Sequence, residues 1–120
     1  MIEPLPGPNR TIHEPARLAI LAVLSACRAA DFLFLESATG LSRGNLSVQL
    51  SRLEEAGLVS ISREIVGKKT RTRVALTELG AAEWEAYWKV MDELRRSATV
   101  RPGRGNRPGL LTPASALAGR

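Results

Sequence analysis

The sequence predicts a mainly α fold with one small β hairpin, on three observations. Apolar residues recur at helical spacing through three segments, 14–29, 32–39 and 43–56, punctuated by Asp31, Gly40, Ser42 and Gly57. Over 58–76 the pattern changes to alternation of period two around a glycine, and over 77–96 it returns to spacings of three and four. The chain has 120 residues, 44% of them hydrophobic and 24% charged, which suits a single globular core and excludes a wholly disordered chain.

Residues 1–10 contain three prolines, and 97–120 are rich in Pro, Gly, Ser and Ala without a sustained period. The expected organisation is therefore a flexible arm at 1–10, a folded unit at 11–96 and a disordered basic tail at 97–120. The first helix, 14–29, has no breaker after Pro15. Thr11 and Glu14 have capping-box spacing, but Pro15 fits the first helical position equally well, so the start stays open. This helix is apolar almost all round, which requires neighbours on more than one side and marks it as central or dimer-forming.

Asp31 is suited to cap a short second helix, 32–39, and Gly40 to end it in a left-handed conformation. Ser42 caps the third helix, 43–56, with Asn45 where a capping box has Glu or Gln. Leu53 and Leu58 flank Gly57 at the spacing of a Schellman cap. At 100° per residue Leu46, Leu50 and Leu53 share one face of this helix. Gly44, Ser47, Val48, Ser51 and Glu55 lie opposite, with Asn45 and Arg52 on one flank and Arg43 nearer the other.

Residues 58–66 alternate Val59, Ile61 and Ile65 with Ser60, Ser62 and Glu64, and β-branched residues recur in 70–76, so the two read as hairpin strands joined by Gly67-Lys68-Lys69. Period two places Thr70, Thr72, Val74 and Leu76 on a core-facing side and Arg71 and Arg73 on a basic one. Thr77 caps a last helix to about Arg96, with Trp84, Tyr87, Trp88, Met91 and Leu94 in one stripe. So wide a stripe in so small a unit implies that part of it packs on another chain. Leu18, Leu21, Trp84, Tyr87, Trp88 and Met91 are the expected dimer interface.

The net charge is +5, and it is localised. Residues 61–75 hold five cations and one acid, and 97–120 hold four arginines and no acid. Such clustering points to a polyanionic partner. One cysteine and one histidine exclude an internal disulfide and a Cys/His metal cluster, so no metal and no cofactor are expected. Cys27 reads as a small hydrophobe, with redox sensing the alternative, and His13 as solvated. No run has the 18 or so apolar residues of a membrane helix, and the start lacks a signal peptide's apolar stretch, so a cytoplasmic protein without membrane contact is expected. Catalysis finds no support: there is no phosphate-binding glycine loop, no Cys/His or Ser/His pairing and no convergent carboxylate pair.

Over roughly 14–96 the chain resembles the winged helix-turn-helix regulators of the MarR-like and ArsR-like families. The resemblance rests on TGLSRGNLSVQLSRLEEAGLV, the hairpin GKKTRTRVAL and the LTELG that opens the last helix. It implies a sequence-specific regulator of transcription, a repressor, with helix 42–56 in the major groove of double-stranded DNA, hairpin 58–76 on the flanking backbone or minor groove, and the outer helices forming a homodimer on an inverted-repeat operator. A small-molecule effector beside the aromatic stripe is compatible with it. The metal-sensing ArsR-like members depend on ligand clusters that this chain lacks.

The residues agree with that reading, because a helix that approaches base edges needs short polar side chains outward. The candidate DNA-binding residues are Ser42, Arg43, Gly44, Asn45, Ser47, Val48, Ser51 and Arg52 on the third helix, and Lys68, Lys69, Arg71 and Arg73 on the hairpin. Asn45 suits bidentate contact with adenine and Arg43 with guanine, whereas the serines and hairpin cations suit phosphate. The bland alternatives are a solvated helix face and a hairpin edge protected by charge. A winged-helix module that binds protein is the competing class, but an apolar outward face would have favoured it.

Overall fold

The first helix, α1 (Pro15–Cys27), starts where Glu14 accepts the Arg17 N–H on its own side chain at 2.8 Å, with Pro15 in the first turn. Glu14 is therefore the cap, and Thr11 is not. A computed structural model describes residues 7–99, with β1 (Ala29–Asp31), α2 (Phe32–Thr39), α3 (Arg43–Glu55), β2 (Val59–Val66), β3 (Lys69–Leu76) and α4 (Glu78–Thr99) following α1. Asn9 already belongs to the folded unit, not to a flexible arm. Its Oδ1 accepts the Thr11 and Ile12 N–H groups, and its Nδ2 donates to Glu83 at 3.2 Å. At the other end α4 runs three residues beyond the expected stop at Arg96. The remainder of the expected tail, like residues 1–6 of the arm, lies outside the described residues.

Local capping signals decide the middle of the fold. Asp31 caps α2 by accepting the Phe34 N–H, and Gly40 ends it at φ +75°. The Ser42 hydroxyl accepts the Asn45 N–H at 3.1 Å to open α3. At its end Leu58 N–H donates to Leu53 C=O and Gly57 N–H to Glu54 C=O, which is the Schellman pattern, and Gly57 takes the φ of +80° that this pattern requires. The apolar pair bracketing the turn, Leu53 and Leu58, is buried.

One element was not foreseen. The first helix was expected to reach residue 29, but Arg28 adopts φ +75° and Ala29–Asp31 form a strand. Three residues, two of them alanine, carry no strand signal of their own. Their conformation comes from the free edge of β3, against which Ala29, Ala30 and Asp31 pair with Ala75, Val74 and Arg73. The sheet is thus three-stranded and antiparallel in the order β1-β3-β2. The hairpin turn is also tighter than expected. Val66 pairs with Lys69, leaving Gly67 and Lys68 as a two-residue turn and making Lys69 a strand residue.

The core is built from Ile20, Leu21 and Leu24 of α1, Leu35 of α2, Leu46, Leu50 and Leu53 of α3, and Val59 and Val74 of the sheet. Complete burial of each leucine contributes about 1.5–3 kcal/mol, so α3 is held by its leucine face and not by its intrinsic propensity. α1 touches α2, α3, α4 and the sheet, the central position its apolar character implied. Only the base of the hairpin joins this core. Val59 and Val74 are buried, but Ile65 and Thr70 further out are exposed, so the core-facing side does not extend along the whole wing.

Candidate nucleic-acid interface

With its three leucines pinned inward, α3 turns Ser42, Arg43, Gly44, Asn45, Ser47, Val48, Ser51 and Arg52 to solvent, and all eight are exposed. The expected outward face is real as geometry. It is also tied down. Gln49, one turn after Asn45, donates from Nε2 to Asn45 Oδ1 at 3.0 Å and accepts at Oε1 from Arg17 Nη1 at 2.8 Å. Arg17 Nε in turn donates to the Thr11 carbonyl. Arg43 lies 3.6 Å from Glu36 of α2.

The hairpin stands beside this face, and its register decides which cations share it. Arg63 pairs with Thr72 and Ile61 with Val74, so Arg63 and Thr72 continue the side that packs on α3. They join Ser47 and Ser51 around a recess of about 190 Å³ between helix and wing. Arg63 was missed as a candidate, although its place two residues after Ile61 was the available signal. Lys69, Arg71 and Arg73 lie on the opposite side of the sheet. Arg71 is shared there between Asp31 and Glu64, each at 4.0 Å. Such half-exposed pairs contribute under about 1 kcal/mol each, but they orient the guanidinium away from α3. Arg71 is thus not the free cation the sequence implied. Among the described residues, Arg52, Arg63, Lys68, Lys69 and Arg73 have no carboxylate within ion-pair distance.

The sequence profile of the family described as "Winged helix DNA-binding domain" matches residues 16–95, two-thirds of the chain. This chain belongs to the winged helix DNA-binding domain family. An uncharacterized protein of Methanocaldococcus jannaschii is 30% identical over 78 residues, covering 65% of this chain and 85% of the relative. A transcriptional regulator homologue from Pyrococcus horikoshii OT3 superposes with a TM-score of 0.70 at 26% identity, covering 75% of this chain and 89% of that one. A MarR-family transcriptional regulator from Silicibacter pomeroyi superposes at 0.57 and 27%, covering 74% and 59%. The winged helix-turn-helix resemblance read from the sequence is therefore borne out in fold and family, and its MarR-like part as structural similarity.

In this winged-helix domain two of the six residues expected between subunits face inward instead. Leu21 is fully buried in the protomer's own core, and Tyr87 is 2% exposed with its hydroxyl 2.9 Å from His13 Nδ1. Helical spacing places Tyr87 in the stripe, but only the tertiary arrangement shows that α1 and residue 13 cover it. Leu18, Trp84 and Met91 are partly buried against the core, while Trp88, edge-on to both Trp84 and Tyr87, is 40% exposed. From Trp88 to Ala98 no α4 residue is buried. Cys27 is exposed, its thiol bonded to the Val23 carbonyl, and not the buried hydrophobe expected. Among the described residues there is no cluster of three His, Cys, Asp or Glu able to hold a metal, and no helix long and apolar enough to cross a membrane.

Proposed function

We propose that this winged-helix protein is a homodimeric, sequence-specific transcriptional repressor of the cytoplasm. In this reading α3 enters the major groove of an inverted-repeat operator, and the β2–β3 wing lies on the flanking backbone or minor groove. The observation that carries it is the outward face of α3, small and polar from Ser42 to Arg52, flanked by unpaired cations on the wing. A helix reads base edges through such a face, and cations beside it set the register by phosphate contact. The protein is a binding protein in this reading, and repression follows from occupying the operator.

The test separates reading from positioning. Asn45→Ala should cost about 1–3 kcal/mol on the cognate duplex and little on a scrambled one, whereas Lys68→Ala should weaken both alike. Titrations of both duplexes, with circular dichroism to check the α3 cap, make the comparison. Equal losses on both duplexes for Asn45→Ala would favour a protein-binding module.

The homodimer rests on the outer half of α4, where no residue from Trp88 to Ala98 is buried and Trp88 itself is 40% exposed. Trp88→Ala should weaken dimerisation by about 2–4 kcal/mol, measurable by sedimentation equilibrium. A wild-type monomer at micromolar concentration would overturn the dimer. For an effector, a recess of about 250 Å³ bounded by Ser25, Arg28, Leu76 and Glu85 borders the stripe at Trp84.

A further inference from the structure

The chain of contacts from α1 to Asn45 has a direction. Arginine can only donate hydrogen bonds, so Gln49 must turn its carbonyl oxygen to Arg17, and its amino group is then the part that faces Asn45. That amino group also only donates, so Asn45 must turn Oδ1 back to Gln49. Reversing either amide would set two donors against each other. Arg17 cannot easily swing away, because its Nε is held by the Thr11 carbonyl and its backbone N–H by Glu14. The Asn45 backbone is fixed in turn by the Ser42 cap.

We infer that Arg17 and Gln49 are positioning residues that set the base specificity of Asn45, holding its amide so that the Nδ2 amino group is presented to the DNA. The inference rests on the DNA-binding reading above and changes one of its details. Oδ1 keeps a second lone pair, but Gln49 fixes the direction in which it points, so the amide no longer turns freely to match the paired donor and acceptor of adenine that its residue type suggested. It acts as a donor. A donor in the major groove finds an acceptor on guanine (O6 or N7), thymine (O4) or adenine (N7) and none on cytosine, which presents only its N4 amino group. Arg17 never touches DNA in this arrangement, yet the preference depends on it.

Selection of bound sequences from randomised duplexes tests this on the full chain. Asn45→Ala identifies the position, as the one in each half-site where preference flattens. Wild type should exclude cytosine there. Gln49→Glu keeps an acceptor for Arg17 but offers Asn45 only an acceptor, so the Asn45 amide reverses and presents its oxygen. Preference at that single position should then switch to amino bases by about tenfold, with the remaining positions unchanged. Arg17→Met should flatten the same position, since Gln49 is then free to turn over. Loss of stability alone would lower binding everywhere without changing one column. Selection of cytosine by wild type at that position, or an unchanged column in Gln49→Glu, would overturn the inference while leaving sequence-specific binding intact. Failure of wild type to enrich any sequence would instead overturn the DNA-binding reading and the inference with it.

Discussion

Gly80→Ala is expected to destabilise the domain by about 3 kcal/mol or more, a large part of its total stability. A Cβ at this position would lie 2.1 Å from the Leu58 carbonyl oxygen and 2.8 Å from Leu76 Cδ1. The contact is with backbone, and that backbone is anchored on every side. Leu58 C=O accepts the Thr77 N–H, Leu58 N–H donates to Leu53, and the Thr77 hydroxyl donates to Gly57 C=O at 2.6 Å while accepting Gly80 N–H at 2.9 Å. These bonds draw the first turn of α4 onto the turn that ends α3, leaving room for hydrogen alone. Overpacking usually costs about 1–3 kcal/mol, and a clash with immobile backbone belongs at or above that limit. Small domains have only about 5–15 kcal/mol of stability in total. Gly44 supplies the contrast, since nothing lies within 4 Å of a Cβ placed there. Gly44→Ala should stabilise by about 0.5–1 kcal/mol, the ordinary gain within a helix. Thermal denaturation followed by circular dichroism measures both, and a Gly80→Ala variant that melts like wild type would disprove the packing described for α4.

Operator affinity should fall about a thousandfold as salt rises fourfold. The structure changes which cations are responsible. Arg71 is engaged by two carboxylates and Arg43 by Glu36, and Lys69 and Arg73 face away from α3, so phosphate contact falls to Arg52, Arg63 and Lys68. If all of these reach phosphate in each protomer, a dimer displaces roughly six counterions and log K falls with log salt at a slope near −5. Arg63→Ala should reduce the magnitude of that slope by about two per dimer, one for each copy, whereas Arg71→Ala should leave it nearly unchanged. Binding titrations at 50–200 mM salt, a span over which such slopes are well measured, decide it. A flat response would remove DNA as the partner, and a larger effect from Arg71 than from Arg63 would reverse the assignment of the wing's two sides.

What the sequence by itself determined is what short-range chemistry controls. Asp31, Gly40, Ser42 and Gly57 mark helix ends because a cap is satisfied by groups within a few residues, and the structure places each at the expected position. The leucine face of α3 and the alternation of the hairpin were legible because period converts directly into direction. The tertiary structure alone decided what depends on residues distant in the chain. Ala29–Asp31 become a strand because β3, more than 40 residues later, offers an unpaired edge. Tyr87 leaves the expected interface because His13 and α1 cover it. Arg71 and Arg63 exchange roles because strand register sets their sides and Asp31 lies next to one of them. Arg17 reaches the α3 surface across 32 positions of sequence. No local pattern encodes these pairings, since hydrogen-bond and ion-pair partners are chosen by proximity after packing. Proximity between distant segments is a property of the assembled core.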